Sequence, residues 1–113
     1  QIHSNSLGKA LFSEFSSDEQ AAICKTLSFE RHNEKTIVDA DEFMLHIQEE
    51  KKLGRYTNFG ETLPDVGALA WPVHLSGMPI AIATAGPLYR IQANIDEFAE
   101  KLRAICTLIE KGQ

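Results

Sequence analysis

The chain has 113 residues, of which 43% are hydrophobic and 24% charged, with a formal net charge of −5. That length holds one domain, and the composition excludes disorder, collagen and coiled coil. The acidic balance argues against this segment gripping nucleic acid itself, because phosphate binding needs clustered Lys and Arg.

Cys24 and Cys106 are too few and too far apart for a disulfide framework or a zinc ribbon, and both fall on apolar faces of predicted helices. They read as core thiols. No charged-then-apolar leader is visible, and the longest apolar stretch, Val66 to Val73, is far too short to span a bilayer. The expected location is the cytoplasm.

In chain order, Leu7, Ala10, Leu11 and Phe15 recur at helical spacing after a polar start, with Asn5 or Ser6 available as N-cap. Ser17-Asp18-Glu19-Gln20 has a capping-box pattern and opens a second helix, striped by Ile23, Cys24 and Leu27. Phe29 to Thr36 reads as a surface loop. Asp39 to Glu42 caps a third helix with Phe43, Met44 and Ile47 inward, Glu49 to Lys52 toward water, and Gly54 at its C′ position. Tyr56 to Glu61 suggests a short strand, and Pro64 marks a turn or edge. Two β-compatible runs follow, Gly67–His74 and Ile80–Ala85, joined by a hairpin loop at Leu75–Met78. Gly86-Pro87 ends the second run. Ile95, Phe98, Ala99, Leu102, Ile105, Cys106 and Ile109 then trace a long amphipathic helix, with Asn94 and Glu97 as its cap. The fold class is α+β, an antiparallel sheet with helices packed on it.

Strand side chains alternate between faces, so the hairpin carries Ala68, Ala70, Ala81, Ala83 and Ala85 on one side and bulky residues on the other. Methyl groups leave space above the sheet. Two readings of that space stay open: a closely packed helix, with Ile95–Ile109 the obvious candidate, or a ligand pocket.

The run Glu61-Thr62-Leu63-Pro64-Asp65-Val66-Gly67-Ala68-Leu69-Ala70-Trp71-Pro72-Val73 is followed by Gly77 and then by Ile80 to Ile91 with its Gly86-Pro87-x-x-Arg90. It resembles the end of the effector-binding domain of the IclR-type transcriptional regulators. His3-Ser4-Asn5-Ser6-Leu7-Gly8-Lys9-Ala10 resembles that domain's His-x-x-x-x-Gly-Lys-Ala segment. The two motifs stand in register with a matching final helix. The resemblance implies a GAF/profilin-like effector-binding domain over residues 1–113, a single domain incomplete at its N-terminus. It implies a small organic acid as effector, a homodimer or tetramer, and control of a winged helix-turn-helix domain that this chain does not contain. His3, His32, His46 and His74 are scattered with no metal-ligand spacing, and no cofactor, metal, membrane or catalytic residue is expected.

By the same resemblance, the effector carboxylate meets backbone amides at Ser6 and Leu7. A helix N-terminus suits an anion on independent grounds, through its free N–H groups and its dipole. Asn58 falls on a position that is typically acidic, Ala68 on a cysteine, and Ala83 and Ala85 on serines, while Val66 matches an apolar wall residue. Methyls for hydroxyls and thiol imply a larger, greasier effector than pyruvate or glyoxylate, such as an aromatic or branched carboxylate. Asn58 reads equally as a turn residue bonding local backbone. Glu61 reads as a solvated carboxylate with Arg55 or Arg90 in reach, Arg90 as an anchor of the turn after the hairpin, and His3 as a surface histidine at the pocket border.

Two other classes compete. A small hydrolase would need a nucleophile with a base nearby, but there is no Gly-x-Ser-x-Gly elbow, and Gly8-Lys9 lacks the rest of a phosphate loop. A ligand-free oligomerisation module would fit large residues at the five alanine positions better than methyls.

Overall fold

The first three helices each start on a side chain that accepts amides the first turn cannot satisfy. In the computed structural model, which describes residues 2–112, α1 (Ser6–Phe12) is capped by Asn5. Helix α2 (Ser17–Thr26) opens on a complete capping box between Ser16 and Glu19, one residue earlier than the sequence pattern suggests. Helix α3 (Ala40–Leu53) is capped by Asp39 and stops at Gly54, whose φ of 81° lies in the left-handed region that glycine enters freely.

Strand β1 (Tyr56–Phe59), β2 (Val66–Leu75) and β3 (Met78–Pro87) form one antiparallel sheet in the order β1-β2-β3. The hairpin closes on Ser76 and Gly77, at φ 52° and 78°. Two successive positive φ values match the right-handed strand twist, which is why the turn is so short. Pro72 lies two residues past Ala70, the last β2 residue paired with β1, so it sits where β2 is flanked by β3 alone. At the hairpin tip His74 touches Glu14 at 2.5 Å and Glu110 at 3.5 Å.

Gly86-Pro87 does not end in a loop. It runs directly into a short helix, α4 (Leu88–Ala93), and α5 (Ile95–Lys111) follows after Asn94. Asn94 supplies no side-chain cap; its amide donates to the Arg90 carbonyl at 2.9 Å. Arg90 itself is an exposed residue of α4. Gly67 is needed here, because a Cβ on it would stand 3.0 Å from that of Ile91 in α4.

Helices cover both faces of the sheet. On one, Ala99, Leu102 and Cys106 of α5 pack with Leu69, Val73 and Ile91. On the other, Ala10 and Phe12 of α1 join Phe43, Ile47, Tyr56 and Ala70. Burying a Leu or Phe side chain stabilises by roughly 1.5–3 kcal/mol, so fully buried Phe12, Phe43 and Leu69 anchor the two layers. The sheet sits between a long helix on its bulky face and a short one on its methyl face.

Candidate functional site

Register fixes which side chains share the methyl face. Asn58 pairs with Ala68, Ala68 with Ala85, and Ala70 with Ala83, so these side chains stand in adjacent cross-strand rows. Val66 lies two residues before Ala68 on the same face. Helix α5 is not the helix above the alanines; it takes the opposite face, and the short α1 lies over this one. Its cover is partial. Ala70 is fully buried, Ala68 and Ala81 are half-buried, and Ala83 and Ala85 are exposed. Further along, at the hairpin end of β3, an apolar cavity of about 340 Å³ lies between α1 and Pro79, lined also by Gly8, Leu11, Phe12, Glu14 and Phe15, and none of the alanines lines it.

The start of α1 forms the rim. Asn5 Oδ1 accepts from the Leu7 N–H at 2.8 Å and the Gly8 N–H at 3.3 Å, so the cap already engages the Leu7 amide. Ser6 is buried, and Leu7 is partly exposed. Asn58 does not reach into open space. Its Nδ2 donates to the Ser4 carbonyl at 2.7 Å, and its Oδ1 accepts from the Glu61 N–H at 2.8 Å. Thr62 Oγ1 donates to the same Ser4 carbonyl at 3.1 Å. Asn58 thus bonds backbone and fastens the rim to the loop after β1, rather than offering a free amide.

Glu61 departs furthest from its expected place. It is buried and paired with Lys9, whose ammonium is fully buried and donates to both Glu61 oxygens at 2.9 and 2.7 Å. The ammonium also donates to the Thr57 carbonyl at 2.6 Å and to His46 Nε2 at 3.0 Å. An ammonium only donates, so His46 Nε2 is the acceptor and the ring is neutral. Burial, reinforced by the Lys9 charge, holds the His46 pKa down at about 4. Burial also lowers the Lys9 pKa and raises that of Glu61, in each case against the pull of the partner. Glu50, expected on the water side of α3, is buried as well, accepting from the Thr57 N–H at 3.0 Å and from the Thr57 hydroxyl and Arg55. The Gly-Lys-Ala segment and the Glu61 motif, 52 residues apart, meet in this joint. No local periodicity announces such a contact.

His3 is buried, not at the surface, and its Nε2 lies 2.8 Å from the Glu30 carbonyl. Cys106 is buried and Cys24 half-buried; burial raises both thiol pKa values. Among the described residues no group of three or more His, Cys, Asp or Glu is placed to hold a metal ion, and no helix is long and apolar enough to cross a membrane.

A three-stranded antiparallel sheet with helices on both faces, one face covered and the other half-open, defines an α+β domain. Residues 1–111 match the family of bacterial transcriptional regulator IclR C-terminal domains, and the chain belongs to that family. These are the effector-binding domains of transcriptional regulators. No curated protein is significantly similar to the chain. The fold is similar to that of Thermotoga maritima IclR (TM-score 0.89, 16% identity), covering 99% of this chain and 47% of that one. It is similar too to the inducer-binding domain of Acinetobacter PobR, a double mutant in complex with 3-hydroxybenzoic acid (TM-score 0.84, 23% identity, 96% of this chain and 65% of that one). The C-terminal domain of Escherichia coli KdgR gives a TM-score of 0.81 at 22% identity, over 96% of this chain and 71% of that one. The chain thus spans about half the Thermotoga regulator and about two-thirds of the PobR domain.

Proposed function

We propose that this domain senses a small organic carboxylate with an aromatic or branched apolar body. The effector lies over the open part of the methyl face, against Ala83, Ala85, Ala68 and Val66. Its carboxylate sits at the α1 start by Ser6 and Leu7, and Asn58 holds that rim in place. The observation that carries this reading is the exposure of Ala83 and Ala85 in the cross-strand rows next to Asn58, whose side chain bonds the segment leading into α1. A pocket of that kind is mainly apolar with few polar groups. The bound acid of the PobR complex belongs to the same chemical class. Because the cap engages the Leu7 N–H, an incoming carboxylate displaces or shares the Asn5 side chain.

Occupancy biases the arrangement of subunits in a dimer or tetramer, and so DNA binding by a winged helix-turn-helix domain of the whole regulator, without chemistry on the effector. The single chain described here, residues 1–113, acts in this reading as one effector-binding unit in the cytoplasm.

Thermal shift against a panel of carboxylic acids tests the reading, since a ligand bound only by the folded state raises the melting temperature by mass action. Benzoate-sized and branched acids should stabilise the wild type and fail to stabilise Ala85→Trp, which fills an exposed position without disturbing the core. Selective, tight binding of glyoxylate or pyruvate, or no shift across the panel, would overturn it.

A further inference from the structure

We propose that Lys9 is the positioning residue of the effector site, its buried ammonium fixing where the start of α1 stands above the Asn58–Ala68–Ala85 row. This rests on the effector-site reading given above. Lys9 does not touch the open methyl face; it is fully buried beneath α1. Its ammonium meets four acceptor atoms, the Thr57 carbonyl, both Glu61 oxygens and His46 Nε2, all between 2.6 and 3.0 Å. Those acceptors come from β1, the loop after it and α3, so a single side chain references the rim helix to three separate elements.

The other ties on this segment are neutral: Asn58 and Thr62 bond the Ser4 carbonyl, His3 Nε2 lies 2.8 Å from the Glu30 carbonyl, and Ala10 and Phe12 pack in the core. Those bonds act on residues before the helix, and apolar packing is non-directional. The ammonium is the charged, directional tie within the helix itself.

The chemistry of the joint points the same way. A buried ion pair is a poor source of stability, because desolvation of both charges offsets their attraction, and well-packed apolar residues often do as well. In this pair burial outweighs attraction on both partners, since Lys9 is pushed toward its neutral form and so is Glu61. What the charges add over an apolar plug is direction. A fully satisfied polar network has one low-energy geometry, whereas methyl and methylene groups slide. The height of α1 above Ala83 and Ala85 sets the width of the gap, so the geometry of Lys9 is read out as the shape of the effector space.

The test uses Lys9→Met/Glu61→Leu, which replaces the pair by apolar groups of similar size, and Glu61→Gln, which keeps the shape. Three measurements are made on each: the melting temperature, backbone hydrogen exchange along the chain, and calorimetric binding of benzoate and 4-methylpentanoate. The double variant should stay folded and melt modestly below the wild type, because the Thr57 carbonyl and His46 Nε2 lose their donor. Its amides over residues 3–8 should exchange at least about tenfold faster, with α5 unchanged, because local opening is read separately from global stability. Both acids should bind about tenfold more weakly, and Glu61→Gln should lie between. Wild-type exchange over residues 3–8 in either folded variant overturns the positioning role whatever the acids do. Faster exchange in these variants, in a wild type that binds neither acid, overturns the effector-site reading and keeps Lys9 as the residue that orders the α1 start.

Discussion

His46 offers a sharp check on the buried joint, because its neutral state is imposed by geometry. With the ring desolvated and facing an ammonium at 3.0 Å, its pKa falls from 6.5 to about 4. The difference, 6.5 − 4 = 2.5 units, corresponds to a ceiling of about 3.4 kcal/mol at 1.36 kcal/mol per unit. The side chain keeps 23% of its accessible surface, so solvent screening reduces this to about 2 kcal/mol. The sign follows from proton counting. Between pH 4 and 6.5 the unfolded chain protonates this histidine while the folded chain does not, so stability rises with pH through that window. The contribution is fully present above 6.5 and is lost as pH falls through about 4. Raising of the Glu61 pKa acts in the opposite sense over part of the range, so the wild type must be compared with His46→Gln, which keeps an acceptor for Lys9 but cannot titrate. Urea denaturation at intervals from pH 4 to 8 should give a wild-type-minus-variant difference that grows by about 2 kcal/mol across the window. Imidazole resonances followed by NMR should place the His46 midpoint near 4. A pH-independent difference, or a midpoint near 6.5, would refute the claim that Lys9 faces a neutral ring.

The cap makes a second prediction: Asn5→Ala should cost about 1 kcal/mol in urea denaturation, yet strengthen carboxylate binding in thermal shift by releasing the Leu7 and Gly8 amides. Gly54→Ala should destabilise by at least about 1 kcal/mol in urea denaturation, through its positive φ and because a Cβ there would stand 2.6 Å from the Arg103 guanidinium that bonds the Gly54 carbonyl. Among the alanines, Ala70→Leu should destabilise by about 1–3 kcal/mol, because it overpacks a fully buried position. Ala83→Leu, at an exposed one, should leave the denaturation midpoint within about 0.5 kcal/mol of wild type.

Much of this architecture was readable from local pattern. The period-2 alternation of Gly67–Ala85 gave the hairpin and its methyl face, and the period of Ile95–Ile109 gave the last helix, because each depends on neighbours in sequence. The caps at Asn5 and Asp39 were visible for the same reason. What escaped depends on distant partners. Glu61 looks like any loop carboxylate until Lys9, far away in sequence, is folded against it; Glu50 sits in a run of charges that hides its burial by Thr57 and Arg55. Helix α4 was missed because Gly86-Pro87 is a stop signal for a strand and equally a lead-in for a helix, and six residues are too few to show a period. Which helix would lie over the alanines was also undetermined: alternation defines two faces and does not say which helix takes which. For the site, strand register sets Asn58, Ala68 and Ala85 in one cross-strand row, whereas the bond from Asn58 to the distant Ser4 carbonyl and the capping of the Leu7 amide by Asn5 depend on side-chain geometry.

The unequal reach of the contacts also bears on how the domain assembles. The β2–β3 pairing runs through ten successive register pairs from a two-residue turn, so it can zip outward from neighbours at the turn to Val66–Pro87, 87 − 66 = 21 residues apart. Such a hairpin closes in about 1–10 μs. The Lys9–Glu61 contact spans 52 residues, and its charges lose water only when α1 is laid on a sheet that already exists. Contacts of that reach carry the loop-closure entropy that slows folding. Lys9 therefore acts late on the folding path. Its removal registers chiefly in the rate of unfolding, leaving the rate of folding nearly untouched.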